Sequence, residues 1–377
     1  MRDKIRIGVI FGGRSGEHEV SVRSARSVVE AADAEKFEVV PVAITKEGRW
    51  LSPAESASLL PEATRRALSD TVREAGEAVT IVGDPSRRGL LRLDGGEGSR
   101  AAERLDVVFP VLHGTYGEDG TIQGLLEMAG VPYVGCGVLA SSCGMDKVTM
   151  KSLLKQAGLP ICKYVWFLRG EWEQEPLKVL ERVTREVGFP CFVKPANLGS
   201  SVGISRAFDE KSLSEAINLA ARYDRKIIVE EGLDVREIEC AVLGNDEPSA
   251  SLPGEYVVSD ERARFLDYTE KYANTGHVEF VVPAPLKKSQ ARRVREMSVR
   301  AFKAIDGAGF ARVDFFLRRD NGKILVNELN TIPGLTDVSG FPKMWAASGI
   351  PFKDVIERLV ELAFERDKEK SRNQTSL

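Results

Sequence analysis

The stretch from Arg312 to Asn330 carries the densest chemistry in this sequence: Arg312-Val313-Asp314-Phe315-Phe316, then Asp320-Asn321-Gly322, then Ile324-Leu325-Val326-Asn327-Glu328-Leu329-Asn330. Two apolar-rich runs around an Asp-Asn-Gly signal predict a β-hairpin. A three-residue loop with Gly322 in the left-handed position pairs Arg319 with Lys323. Counting back then sets Asp314 opposite Glu328 and Arg312 opposite Asn330, all on one face. Two carboxylates and an amide at cross-strand spacing repel unless a cation lies between them. An all-oxygen set suits Mg²⁺, which keeps waters and phosphate oxygens in its shell. A two-residue Asn321-Gly322 turn would shift the parity and leave only a solvated face of alternating charge.

Lys194 follows the run Cys191-Phe192-Val193 and precedes a loop, Asn197 to Gly203, rich in small residues and free backbone donors. A lysine beside a Gly/Ser loop can cover triphosphate oxygens and exclude water, and Lys147 could add a second charge. The P-loop order is missing, so the bare alternative is a flexible hairpin. Val229-Glu230-Glu231-Gly232-Leu233 ends a strand where backbone and carboxylates could read an adenine amino group and ribose hydroxyls, or be an ordinary strand end. The first glycine turn, Gly12-Gly13-Arg14-Ser15-Gly16, leads to Glu17 and Glu19 and has no G-x-G-x-x-G order. Phosphate is repelled from such a helix mouth. A carboxylate there either complements the helix dipole or holds an ammonium group, as an amino-acid substrate requires.

The elements that must position these groups read as α/β. Lys4–Phe11 is a strand buried on both sides, helical spacing begins at Ser21, and Phe37–Ile44 is a second strand, which makes a βαβ unit with a parallel sheet. Residues 52–104 read as an insertion of surface helix and loop. Leu105–Leu112 is another buried strand, ending in His113-Gly114-Thr115-Tyr116-Gly117-Glu118-Asp119-Gly120, the kind of strand-end loop where an α/β domain keeps its site. A helix over Lys147–Gln156, strands near 192–204, 227–230 and 238–243, a helix over Ser289–Asp306, the hairpin, and a helix near Phe352–Phe364 follow, with a frayed polar tail at 367–377.

Composition narrows the classes. The 377 residues allow two or three domains, and 43% hydrophobic with 29% charged residues is the mixture of a globular enzyme. Lys plus Arg at 53 against Asp plus Glu at 56 leaves −3, too balanced for a polyanion binder, so no nucleic-acid partner is expected. No apolar run is long enough for a bilayer and the first residues lack a cleavage pattern, so no membrane partner and a cytoplasmic location are expected. Five scattered cysteines form no C-x-x-C pair, and three histidines cannot build a His-rich metal site. The chemistry must run on carboxylates, lysines, arginines and backbone.

Taken together, these motifs resemble the D-alanine:D-alanine ligases of the ATP-grasp superfamily. The likeness runs from about Lys4 to Phe364, is weak only across 52–104, and rests on Gly12 to Ser21, Leu112-His113-Gly114 with Gly117-Glu118-Asp119-Gly120, Met145-Asp146-Lys147, Val193 to Gly203, Asp267-Tyr268 with Glu270-Lys271-Tyr272, and Asn327 to Gly334. The resemblance implies an ATP-grasp fold behind an N-terminal parallel-sheet domain: residues 1–140 with the insertion, a central subdomain 141–227, a C-terminal subdomain 228–366 and a tail 367–377. It implies ATP between two sheets, two Mg²⁺ ions (Mn²⁺ as a substitute), D-alanine substrates and a homodimer. The implied reaction is attack of one D-alanine carboxylate on the γ-phosphate to give an acyl phosphate, then displacement of phosphate by the amine of a second.

By the same resemblance, Glu17 holds the first ammonium, His113 lines the first subsite, and Ser200 and Tyr272 close the site through a bridging network. Lys271 sits beside the second substrate in the nucleotide region, and Arg312 with the Gly334 amide stabilises the oxyanion. Asp314, Glu328 and Asn330 hold the metals, and Lys147 and Lys194 the phosphates. Glu230, Glu231 and Leu233 flank the adenine, Glu237 takes the ribose, Phe316 and Asn327 complete the nucleotide pocket, and Ser339 binds the second carboxylate. Rival readings are a D-alanine:D-serine or D-lactate ligase and a non-catalytic nucleotide-binding shell. One departure stands out: Gly340 follows Ser339 where the family usually carries methionine or leucine, which implies extra room in the second subsite unless Phe341 swings in to fill it.

Overall fold

The computed structural model describes residues 4–69, 72, 78–87, 89–93, 101–199, 202–258 and 278–374. The strand Ile5–Gly12 lies centrally in a parallel sheet, between Phe37–Ile44 and Val107–Val111. Its apolar run is buried because the helix His18–Ala31 covers one face and the helix Thr121–Ala129 the other. The first helix begins at His18, three residues before its apolar spacing becomes regular, so Glu17 takes the N-cap position. Both glycine-bearing loops, after Gly12 and after Val111, emerge at the carboxyl ends of their strands, where open parallel sheets place ligands.

The insertion is more than surface helix and loop. It adds a small antiparallel sheet of Val79–Thr80, Leu90–Arg92 and Ala101–Glu103, and buries Val79, Ile81 and Leu90 against the parallel sheet. Two- and three-residue strands are too short to show a period, which is why composition alone reads as loop.

Two further sheets face the chemistry. One has the order Tyr164–Leu168, Lys226–Glu231, Cys191–Pro195, Ser205–Ala207, all antiparallel. Its back is sealed by the helices Pro176–Glu186 and Glu210–Ala220 around Phe167, Val193 and Val229. The other runs Val278–Val281, Gly254–Val258, Val235–Leu243, Phe310–Arg318, Ile324–Asn330, with Ser249–Ala250 appended. Its back packs on the helix Lys288–Ala304 through Ile238, Cys240, Val313 and Phe315. By alternation the opposite face carries Glu237, Glu239, Arg312, Asp314 and Phe316.

The hairpin reaches the anticipated register by a different route. Arg312 pairs with Asn330 and Asp314 with Glu328, but Phe315 pairs with Val326 and Leu317 with Ile324. The amide of Arg318 bonds the Lys323 carbonyl, so the loop holds four residues, Arg319 to Gly322, and not three. Asn327 is the extra residue of a β-bulge, and it restores the parity that the longer loop would have lost. Gly322 has φ +69, the left-handed value that the turn requires.

The parallel sheet and the hairpin share one core. Phe310 is fully buried against Phe109 of the first sheet and Phe341 of the helix Gly340–Ala347, with ring centroids 6.4 and 5.4 Å away. The final helix, Phe352–Lys370, also joins this core and continues well into the stretch anticipated as frayed tail. Arg366 explains the extension, since it bonds the carbonyls of Tyr133 and Gly135 and lies over the Tyr133 ring.

Candidate active site

Glu230 is the innermost charge of the site. It is buried, with one carboxylate oxygen 2.8 Å from Lys151 Nζ and the other 2.7 Å from Lys194 Nζ. Burial by itself would raise its pKa, yet the two ammonium groups overcome that and hold it at about 2. Lys194 is likewise held above the ordinary lysine range, its burial outweighed by Glu230 and by Glu328. Lys147 opens the helix Lys147–Gln156, which Asp146 caps through the amides of Val148 and Thr149. Its ammonium donates to the Leu198 carbonyl at 2.7 Å, at the start of the Gly199 loop. Lys151 also donates to the Asn327 carbonyl of the hairpin at 3.1 Å, so its pair with Glu230 links the two sheets.

On the hairpin face, Arg312 grips Asp314 with two hydrogen bonds of 2.6 Å and lies 3.3 Å from Glu239. Its guanidinium supplies positive charge to Asp314 and Glu239 on this acidic face. The oxygen donors Asp314, Glu328 and Asn330 fit a hard divalent ion in type and in common face. Glu237 and Phe316 pair on adjacent strands, one register step further along the same face. The Asn330 side-chain oxygen accepts the Ile332 amide at 3.2 Å.

The first sheet brings Glu17 to this face. A Cβ built on Gly114 would lie 2.8 Å from the Glu17 carboxylate and one on Gly199 3.2 Å, so that carboxylate sits between the His113 loop and the Gly199 loop. Glu19, by contrast, is exposed and pairs with Lys46. Of the two glutamates at the helix mouth, only Glu17 points into the site. Gly117 admits no side chain, because its Cβ would fall 2.1 Å from the Leu112 carbonyl oxygen. That tight turn returns Glu118 underneath the loop.

Buried Glu118 accepts the amides of Gly114 at 2.8 Å and Ile332 at 3.3 Å, tying the His113 loop to the segment carrying Gly334. Burial first, and the Glu17 charge second, raise its pKa to about 8, so it is mainly protonated at neutral pH. His113 makes a parallel tie. Its Nδ1–H donates to the Ile332 carbonyl at 2.9 Å, which leaves Nε2 to accept the Ser24 hydroxyl at 2.9 Å. Burial lowers its pKa and keeps the ring neutral. The Ser24 oxygen in turn accepts the Leu335 amide at 3.3 Å.

The other anticipated residues are placed as follows. Glu231 accepts the Lys163 amide at 2.8 Å, Leu233 is half-buried just beyond the strand end, and Asn327 forms the bulge. Ser339 is buried, its hydroxyl 2.7 Å from that of Thr336. Ser200, Lys271 and Tyr272 lie outside the described residues. Sequence reading missed Lys151, Glu239 and the positioning role of Glu118. The alternation Glu237-Ile238-Glu239 could have shown Glu239 on the site face. Lys151 offered only a lone lysine among the buried positions of its helix.

The expected room beside Gly340 is filled. A Cβ on Gly340 would lie 2.7 Å from Glu239 Oε2 and 2.7 Å from the Phe280 ring, which itself covers Gly254 and packs on Tyr256 at 4.7 Å. Phe341 does not swing in, being committed to Phe310 in the core. The wall that Gly340 gives up is replaced by Phe280.

The chain matches the family profile described as D-ala D-ala ligase N-terminus over residues 6–136 and that described as D-ala D-ala ligase C-terminus over 153–361. A D-alanine–D-alanine ligase of Natranaerobius thermophilus is 45% identical over 373 residues, covering 99% of this chain and 98% of that protein. One of Heliobacterium modesticaldum is 48% identical over 373 residues, covering 98% and 97%. Among solved structures, the VanG D-Ala:D-Ser ligase of Enterococcus faecalis superposes with TM-score 0.81 at 36% identity, covering 96% of this chain and 100% of that one. The D-alanine-D-alanine ligase of Coxiella burnetii gives 0.80 at 34%, covering 98% and 96%.

Two outcomes follow from this geometry. Gly340→Met should destabilise the fold by about 1–3 kcal/mol through overpacking against Phe280 and Glu239; urea unfolding at wild-type stability would contradict the contact. Glu118 keeps its proton in the folded chain up to about pH 8, whereas the unfolded chain loses it near 4.5, so stability falls as pH rises between those values. Glu118→Gln should remove that loss and flatten the stability slope by up to about 1.4 kcal/mol per pH unit. Urea unfolding across that range checks it, and an unchanged slope counts against the protonated carboxyl.

Proposed function

This chain belongs to the D-ala D-ala ligase family of the ATP-grasp superfamily, and from that premise we propose that it joins two D-alanines at the expense of ATP to supply a peptidoglycan precursor. The supporting observation is that the Glu17 carboxylate lies between the His113 loop and the Gly199 loop, while His113 and Glu118 tie the former to Ile332, just beyond the hairpin residue Asn330 that pairs with Arg312. An amino acid lying between Glu17 and Arg312 has its carboxylate toward the hairpin face. Lys194 on the opposite sheet and Lys147 at the start of the neighbouring helix stand to receive ATP phosphates.

In this proposal the first carboxylate attacks the γ-phosphorus, ADP departs, and the acyl phosphate carbonyl lies against Arg312 and the Gly334 amide. The neutral amine of the second D-alanine attacks that carbonyl, the carbon–oxygen bond to phosphate breaks, and the departing phosphate carries off the proton that the amine nitrogen gives up. Asp314, Glu328 and Asn330 would hold Mg²⁺, which when bound neutralises charge on the phosphoryl oxygens. Glu118 and His113 exclude water beneath Glu17 and keep the Ile332–Leu335 backbone in place. Ser339 receives the second carboxylate, with Phe280 and Glu239 closing the space beside it to fit a methyl side chain. That closure favours D-alanine over the bulkier D-serine as second substrate. Ser200 and Tyr272 form the closing network, Lys271 belongs beside the second substrate, and Glu230, Glu231, Leu233, Glu237, Phe316 and Asn327 surround the nucleoside.

The proposal includes the division at about residues 140 and 227, a homodimer and a cytoplasmic location. Among the described residues, no helix is long and apolar enough to cross a membrane.

Mass spectrometry of products from ATP, Mg²⁺ and equal concentrations of D-alanine, D-serine and D-lactate should show D-alanyl-D-alanine in excess. A dominant mixed product would assign the chain to another branch of the family. Glu328→Gln should reduce ligation by about 10²-fold or more, because it removes charge where the transferring phosphoryl group needs a metal. Turnover at the wild-type rate would remove Glu328 from the metal set.

A further inference from the structure

The strand Ile324–Asn330 is the edge of its sheet, so its outward amides and carbonyls must find partners elsewhere. The partners come from one helix and the turn after it. The Val326 amide bonds the Pro160 carbonyl at 2.8 Å, the Leu329 amide meets Met150 Sδ at 3.2 Å, and the Asn327 carbonyl accepts Lys151 Nζ at 3.1 Å. Asn327 is the bulged residue, and the bulge alone decides that Glu328 faces Asp314 and not the core. Lys151 is 1% exposed, and its ammonium also meets Glu230 at 2.8 Å and Cys162 Sγ at 3.5 Å.

We propose that Lys151 is a positioning residue that secures the β-bulge at Asn327 and so holds Glu328 on the metal-facing side of the hairpin. The inference rests on the reading of Asp314, Glu328 and Asn330 as metal ligands, and extends it to a residue that touches neither metal nor substrate. A carbonyl turned out of the ladder by a bulge needs a donor, and a buried ammonium is a strong one. Glu230 keeps that ammonium charged and aimed, since both its oxygens are engaged by lysines. Through Lys151 the sheet bearing Lys194 and the hairpin bearing Glu328 are held in one relative position. Releasing the bulge would return the strand to the parity of its four-residue loop, and a slip of one residue turns Glu328 away from Asp314.

The test compares full-length wild type, Lys151→Met, and Glu328→Gln. Lys151→Met keeps the stem and removes the ammonium. Amide hydrogen exchange of the metal-free protein should quicken about tenfold or more over residues 324–330 and stay unchanged over residues 5–12. The Mn²⁺ dissociation constant, read by electron paramagnetic resonance with ADP present, should rise about tenfold or more. Either reading at its wild-type value, or equal acceleration in both segments, overturns the proposal. Glu328→Gln judges the underlying assignment separately: Mn²⁺ binding as tight as wild type would remove Glu328 from the metal set, while the exchange reading still decides the role of Lys151. If Lys151→Met does not unfold cooperatively, Lys151→Met/Glu230→Gln removes both charges of that pair, and the same readings are taken against Glu230→Gln alone.

Discussion

A carboxylate buried between two ammonium groups organises this molecule. Glu230 is nearly inaccessible to water, and its ionised form survives there only because Lys151 and Lys194 each take one of its oxygens. Breaking such a pair by deleting one partner costs about 3–5 kcal/mol, far more than an exposed ion pair contributes. The arrangement carries two positive charges against one negative, and against the effect of burial Glu230 first, with a smaller contribution from Glu328, raises the pKa of both lysines. Under the proposed function, this positive charge would meet phosphates and the carboxylates of the hairpin a divalent ion, across the gap between the two sheets.

The rest of the site is assembled from loops whose conformations are tied to one another. Glu118 and His113 each reach from the first sheet to Ile332, and Ser24 reaches on to Leu335. Three segments distant in the chain are fastened by groups held neutral in the interior, while Arg312 is engaged by Asp314 on the hairpin face. The shared core at Phe109, Phe310 and Phe341 gives these ties a rigid base. In this way the fold separates residues that position from residues that react.

Periodicity made the large elements legible. Alternation in Lys4–Phe11 and Phe37–Ile44, and the paired runs of the hairpin, lead directly to the observed strands and to the facing of Asp314 with Glu328. The route to that facing was not legible, because a four-residue loop with a bulge gives the same far register as a three-residue loop without one. The insertion sheet was hidden by strands too short to show a period. Lys151 was hidden because its partners, Glu230 and the Asn327 carbonyl, come from two different sheets, and only tertiary packing brings them together. The space expected beside Gly340 was misread for the same reason: Phe280, about sixty residues earlier in the chain, fills it.

The central claim is that the hairpin face, now closed by the Arg312–Asp314 pair, is the seat of the divalent ions and of the phosphoryl group. A crystal structure with ADP, Mg²⁺ and a phosphinate analogue of the dipeptide measures this directly. The account predicts Mg²⁺ bound by Asp314, Glu328 and Asn330, Arg312 moved from Asp314 onto the analogue, and Lys151 still on the Asn327 carbonyl. An intact Arg312–Asp314 pair with the ions bound elsewhere would contradict it.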